Sequence, residues 1–159
     1  MEVGHDDNDP SAGPLLPYRR TLDDAEVDEH LGRMQARWGV LDRAWHPIIG
    51  GDVPDDVVMV DARMWERDGA VDALRRILRA HGTAVVVVIR ELGDVSTEEA
   101  IEAFDPRYDG AELLATNGAG DWLLYSSHEG TTALAGGPHV HDLQAAIADW
   151  SPWGGWERA

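Results

Sequence analysis

Val27, Leu31, Met34 and Trp38 recur at spacings of three and four residues, the interval that aligns side chains on one face of an α-helix. Thr21 just ahead is a candidate N-cap, Asp23, Asp24 and Glu26 complement the positive helix start, and Gly39 is placed to end it. Val40 to Pro54 reads as an apolar connection with room for a short strand. Val57 to Val60, bounded by Pro54-Asp55-Asp56 and by Asp61, is a β-branched run that predicts a buried strand. Val71, Leu74, Ile77, Leu78 and His81 then mark one face of a helix over 64–81, with Arg75, Arg76 and Arg79 outside the stripe and Gly82 as its stop. Thr83 to Ile89 is apolar without alternation, which predicts a central strand buried on both faces.

Ser96-Thr97-Glu98-Glu99 has the form of a capping box and predicts a short helix ending before Pro106. Glu112–Ala115, Asp121–Ser126 and Thr131–Leu134 read as three strands of an antiparallel meander, with turns at Asn117-Gly118-Ala119-Gly120 and His128-Glu129-Gly130. Pro138 suits the first position of a final helix carrying Val140, Leu143, Ile147 and Trp150. The predicted order is α-β-α-β-α-β-β-β-α, an α+β fold in which a single mixed, largely antiparallel sheet is flanked by about four helices. The 57–60, 64–81, 83–89 unit permits a parallel crossover. Residues 1–17, rich in Pro, Gly and Asp, read as a flexible acidic tail ahead of one domain over 18–159.

The chain has 159 residues and no cysteine, so it is long enough for a real core and offers neither thiolate ligands nor a cysteine nucleophile. No run is long and apolar enough for a membrane span, and the acidic first ten residues do not resemble a signal peptide, so a cytoplasmic location is expected. All 13 basic residues are Arg, against 30 acidic ones, for a net charge of −17. Together with much Ala, Gly, Asp and Val, the Arg-only usage fits a high-GC bacterial genome. Such a charge repels nucleic-acid phosphates and anionic membranes and attracts cationic partners. Residues 91–120 carry eight acids against Arg107 alone, so Glu98, Glu99, Glu102, Asp105 and Asp109 form a candidate partner-binding patch.

Catalytic signals are sparse. Ser126, Ser127 and His128 are consecutive, and neighbouring strand residues point to opposite faces, which sets a serine and its histidine base apart. The Gly-x-Ser-x-Gly elbow is absent. His139 and His141 lie two apart near a helix start and diverge, so a metal site would need His128 as a third ligand. A metal-binding protein or small hydrolase centred on His128, His139 and His141 is therefore one alternative. Asp61 follows a strand, where it is a candidate functional carboxylate or a helix cap. No Gly-x-Gly-x-x-Gly follows a strand and no Gly-Lys-Ser/Thr occurs, so no cofactor is expected. Of seven Trp, Trp153 and Trp156 fall outside the helical stripe. They are candidate interface anchors, which leaves an assembly or scaffold protein as another alternative.

In general character the chain resembles the small, acidic, cytoplasmic immunity proteins that bacteria keep against their own secreted toxins. The stretch Asp121-Trp122-Leu123-Leu124-Tyr125-Ser126-Ser127-His128-Glu129-Gly130 is similar to a pattern found in uncharacterised bacterial proteins of this sort. The resemblance implies a non-enzymatic domain that neutralises a cationic protein, a cognate toxin, by occluding its positive surface.

Overall fold

The computed structural model describes residues 16–41, 56–90 and 94–153. The expectations of a tail over 1–17 and of a strand within 40–54 lie almost wholly outside them. The elements are β1 (Arg19–Thr21), α1 (Asp24–Trp38), β2 (Val57–Asp61), α2 (Ala70–Ala80), β3 (Val85–Arg90), β4 (Thr97–Ala100), β5 (Leu113–Thr116), β6 (Leu123–Ser126), β7 (Thr131–Ala135) and α3 (Gly137–Ala146), with 3-10 turns at Ala62–Glu66 and Ile101–Ala103. The strands form one seven-stranded sheet in the order β1-β4-β3-β5-β6-β7-β2, and every neighbouring pair is antiparallel.

The fold is therefore α+β, and the expected mixed sheet is corrected to an antiparallel one. β2 and β3 do run the same way, but β5, β6 and β7 lie between them, so no parallel ladder forms. The 5–6–7 meander is present as predicted. β3 is buried on both faces, with Val86, Val87, Val88 and Ile89 all nearly inaccessible.

The expected helix after Ser96 is instead strand β4, which pairs with β3 on one side and β1 on the other. A bilaterally apolar β3 leaves a row of backbone donors and acceptors that must be met in the sheet. Filling that ladder outweighs the local capping preference, and the Ser96 hydroxyl accepts from the Arg90 amide rather than from a helix start (3.1 Å). The about four helices thus reduce to three α-helices among the described residues. Thr21 is part of β1; the cap of α1 is Asp23, in a reciprocal box with Glu26 (both bonds 2.9 Å). The helix expected over 64–81 is shorter, because Gly69, at φ +81°, separates the 3-10 turn from α2. Gly39, in the left-handed region, ends α1 as expected.

Two cores flank the sheet. On one face α2 and α3 pack with Trp65, Phe104 and Trp122 over Val86, Val88, Leu124 and Leu134. The indole of Trp65 donates to Thr132 Oγ1 (2.9 Å) and that of Trp122 to Thr83 Oγ1 (3.1 Å), so neither buried N–H is left unpaired. On the other face Met34 and Trp38 of α1 lie over Val57, Val87, Leu123 and Ala135.

The chain enters α3 through Gly136, at φ +109°, where a Cβ would lie 2.9 Å from the Asp121 carbonyl oxygen and 3.0 Å from Trp122. Nothing lies within 4 Å of a Cβ placed on Gly32, in the middle of α1. Gly136→Ala should therefore cost at least about 2 kcal/mol, from disfavoured dihedrals and backbone overlap together. Gly32→Ala should leave stability unchanged or raise it by up to about 1 kcal/mol. Urea titration of the two variants checks the contrast, and equal midpoints would refute it.

Candidate functional site

Each of the five acids of the expected patch faces an arginine, and Asp105 and Asp109 line one surface pocket together with Arg107. Adjacent residues of β4 point to opposite sides, so Glu98 lies on the α1 face and Glu99 on the α2/α3 face. Arg20 bridges Glu98 (2.6 Å) and Glu26 (2.8 Å). Glu99 has Arg19 at 3.9 Å, and burial pushes its carboxyl above the ordinary range against the pull of Arg19 and Arg90. Glu102 meets Arg79 (2.9 Å), Asp105 meets Arg107 (2.6 Å) and Asp109 meets Arg90 (2.7 Å). The guanidinium groups hold Asp105 and Asp109 below the usual carboxylate range. These pairs compensate one another locally and do not make a single uncompensated surface.

The Ser126–Glu129 stretch is organised by Glu112, a residue the sequence reading did not single out. The register that pairs Leu113 with Ser126 sets Glu112 beside Ser127. Its carboxylate accepts from Tyr125 Oη (2.5 Å), from Ser127 Oγ (3.3 Å) and from the His128 amide (3.3 Å), and it contacts His128 Nδ1. Burial raises its pKa, but the bonds from Tyr125 and His128 outweigh that and hold the carboxyl low. His128 Nε2 faces Glu129 at 2.5 Å. Both imidazole nitrogens thus address carboxylates, while the Ser127 hydroxyl donates to Glu112 and accepts from the Glu129 amide (3.1 Å). Ser126 is fully buried on the other face, its hydroxyl without a hydrogen-bond partner among the described residues. Ser127 and His128, expected on opposite faces of a strand, lie instead in the turn after β6 and share the Glu112 carboxylate, the arrangement of a turn-stabilising network.

The three histidines do not converge. His128 precedes β7 and His139 follows it, and five extended residues span roughly 16 Å. His139 is buried and packs on His81, ring centroids 4.2 Å apart, with neither of its nitrogens hydrogen-bonded among the described residues. His81 Nε2 instead meets Asp142 (2.7 Å), which His141 approaches at 3.3 Å. Among the described residues no three His, Asp or Glu side chains are grouped to hold a metal. Asp61 is a cap: its carboxylate accepts from the Arg63 amide (2.9 Å) and pairs with the Arg63 guanidinium.

Trp153 lies on the strap that covers the β2 edge. Its amide donates to the Met59 carbonyl, the Asp61 amide donates to the Ser151 carbonyl (both 2.9 Å), and Val60 bridges Pro152. Trp156 lies outside the described residues.

A groove of about 750 Å³ opens between α1 and the sheet. Its cause is visible along the α1 stripe: Met34 and Trp38 are buried, whereas Val27 and Leu31 are only half-buried over Ile89, Leu114 and Tyr125. Asp24, Asp28 and Asp94 stand on its rim with the Glu112 carboxylate at one end. No described helix is long and apolar enough to cross a membrane. The chain matches no protein-family model, no curated protein and no solved structure.

Burial, and secondarily His81, lowers the His139 pKa below its ordinary 6.5. The unfolded chain then binds the extra proton more readily, so this group's stabilisation is complete above about pH 6.5 and lost as pH falls toward the folded value. His30, shifted the same way by burial and Arg33, adds to the effect. His139→Phe should flatten, without abolishing, the fall in unfolding free energy between about pH 7 and pH 5. Parallel profiles for parent and variant would refute the assignment. Ending the chain at Trp150 removes the strap bonds, each worth about 1 kcal/mol, and should lower Tm by roughly 5–10 °C. An unchanged Tm would show that the strap contributes nothing to the fold.

Proposed function

We propose that this protein is a non-catalytic binding domain whose surplus negative charge recruits a positively charged protein, in the manner of an immunity protein that plugs the cationic cleft of a toxin. The net charge of −17 carries the reading. Its distribution supports it: Arg20, Arg33, Arg79, Arg90 and Arg107 are committed to carboxylates inside the molecule. With 30 acids against 13 arginines in all, the acids outside these pairs outnumber the arginines that remain. A field of one sign over much of the surface accelerates encounter with an oppositely charged partner and disfavours wrong ones. Toxins that act on nucleic acids present positive clefts to anionic substrates, and an acidic domain seated there competes with the substrate by the same electrostatics.

Affinity capture from the native lysate, followed by binding kinetics and an activity assay on the captured protein, tests the reading. The expected partner is basic, loses activity in the complex, and associates at least tenfold more slowly when salt rises from about 50 to about 500 mM, because the Debye length shrinks from roughly 14 Å to 4 Å. An acidic or neutral partner with a salt-independent on-rate would overturn it.

A further inference from the structure

We propose that the groove under the N-terminal half of α1 is the docking site for a basic amphipathic segment of the partner protein, apolar on one side and carrying Arg or Lys on the other. The inference rests on the reading of the protein as a binder of cationic proteins, and it names where and through what chemistry the partner engages.

Three observations carry it. The first is an apolar floor that the fold itself leaves incompletely covered. Leu114 and Tyr125 come from adjacent strands, share one face with the buried Ile89, and are themselves only half-buried, as are the Val27 and Leu31 side chains above them. The second is apolar exposure continuing out of the groove, where Leu41 and Val95 at its margin are 62% and 56% exposed. Contiguous exposed apolar surface ringed by charge is typical of interaction sites. The third is the sign of the rim. Asp24, Asp28 and Asp94 line it, and none of them is ion-paired among the described residues. Among the described residues the one cation lining the groove, Arg90, is held by both oxygens of Asp109 (2.7 and 2.9 Å), so its charge is already answered.

Apolar floor and acidic rim together select the occupant. A wholly apolar segment would strand the rim carboxylates against low-dielectric surface, and a merely cationic one would leave the floor wet. Arg and Lys side chains suit both at once, since their aliphatic stems lie along apolar surface while their charged ends reach outward. The positive end of the α1 dipole does not oppose them, because Asp23, Asp24 and Glu26 already face it. A volume near 750 Å³ takes several side chains, the scale on which an amphipathic segment anchors in a groove.

The test uses the full chain with labelled methyl groups and two synthetic probes of about 18 residues, long enough to hold a helix. One has Leu and Arg at helical spacing, and the other has Gln in place of Leu at equal charge. The Leu/Arg peptide is expected to shift the methyl signals of Val27, Leu31, Ile89 and Leu114. It should bind at least about tenfold more weakly to the Asp24→Arg/Asp28→Arg variant, and the Gln/Arg peptide should bind the parent at least as much more weakly. Undiminished binding to the variant, equal binding of both peptides, or shifts confined to other surfaces would overturn the groove while leaving the cation-seeking reading intact. Concentration-dependent shifts of the same methyls without peptide would assign the groove to a second copy and likewise overturn it. Failure of both peptides to bind at low salt would bring down the groove and the proposed function together.

Discussion

The organisation of this molecule depends on β3, a strand apolar on both of its faces. Such a strand is stable only where both surfaces are covered and both edges paired. The two covers are unlike: α2 and α3 with three buried aromatic side chains on one side and, among the described residues, α1 with its flanking Leu22 and Val40 on the other. The two edges are unlike as well. β5 brings the meander, whereas β4 is drawn from a segment whose own residues favour a helix start. The fold is thus a case in which a non-local ladder overrides local preference, because unpaired backbone groups beside a buried strand cost more than a lost capping box.

The sheet's outer strands show how charge substitutes for hydrophobicity. β1 is a three-residue strand, Arg-Arg-Thr, exposed throughout. No apolar pattern announces it, and its side-chain attachment to β4 is the pairing of Arg19 with Glu99 and of Arg20 with Glu98 across the register. Charged side chains on an edge also discourage further strand addition. At the opposite edge the Ser151–Trp153 strap covers β2. The two edges are therefore protected by different means, one ionic and one by backbone pairing.

What was legible in the sequence follows the range of the interactions involved. The α1 stripe, the unbroken apolar run of β3 and the meander with its Gly-bearing turns are set by neighbours in sequence, and they are where the patterns place them. β4 was misread because Ser96 to Glu99 satisfies a local rule that only the open edge of β3 defeats. The parallel crossover was misread because strand direction is local, whereas the insertion of three strands between β2 and β3 is not. Among candidate site residues, the divergence of His139 and His141 follows from helix geometry, whereas alternation fails at Ser127 and His128, which lie beyond the end of β6 in a turn and converge on the Glu112 carboxylate. Glu112 was not noticed, although counting back from the meander register would have set it beside Ser127. The burial of His139 was invisible, because it comes from packing against His81 at the end of α2 rather than from anything within α3.

The groove has a physical origin in how α1 is fastened. Its C-terminal end is held by apolar packing of Met34 and Trp38, by the Trp38 indole donating to Asp56 (2.9 Å), and by Arg37 reaching the Gly120 carbonyl (3.0 Å). Its N-terminal end is held by Arg20, which bridges Glu26 on the helix to Glu98 on the sheet from largely exposed positions. Exposed ion pairs contribute about 0–1 kcal/mol and weaken with salt. Buried large side chains contribute roughly 1.5–3 kcal/mol each. The helix is therefore firmly anchored at one end and loosely tethered at the other, and the space beneath the loose end can widen at small cost. The floor of the groove is continuous with the core that Met34 and Trp38 fill, since Ile89 belongs to that cluster and Leu114 and Tyr125 pack against it, so widening the groove extends existing apolar surface and opens no new interior.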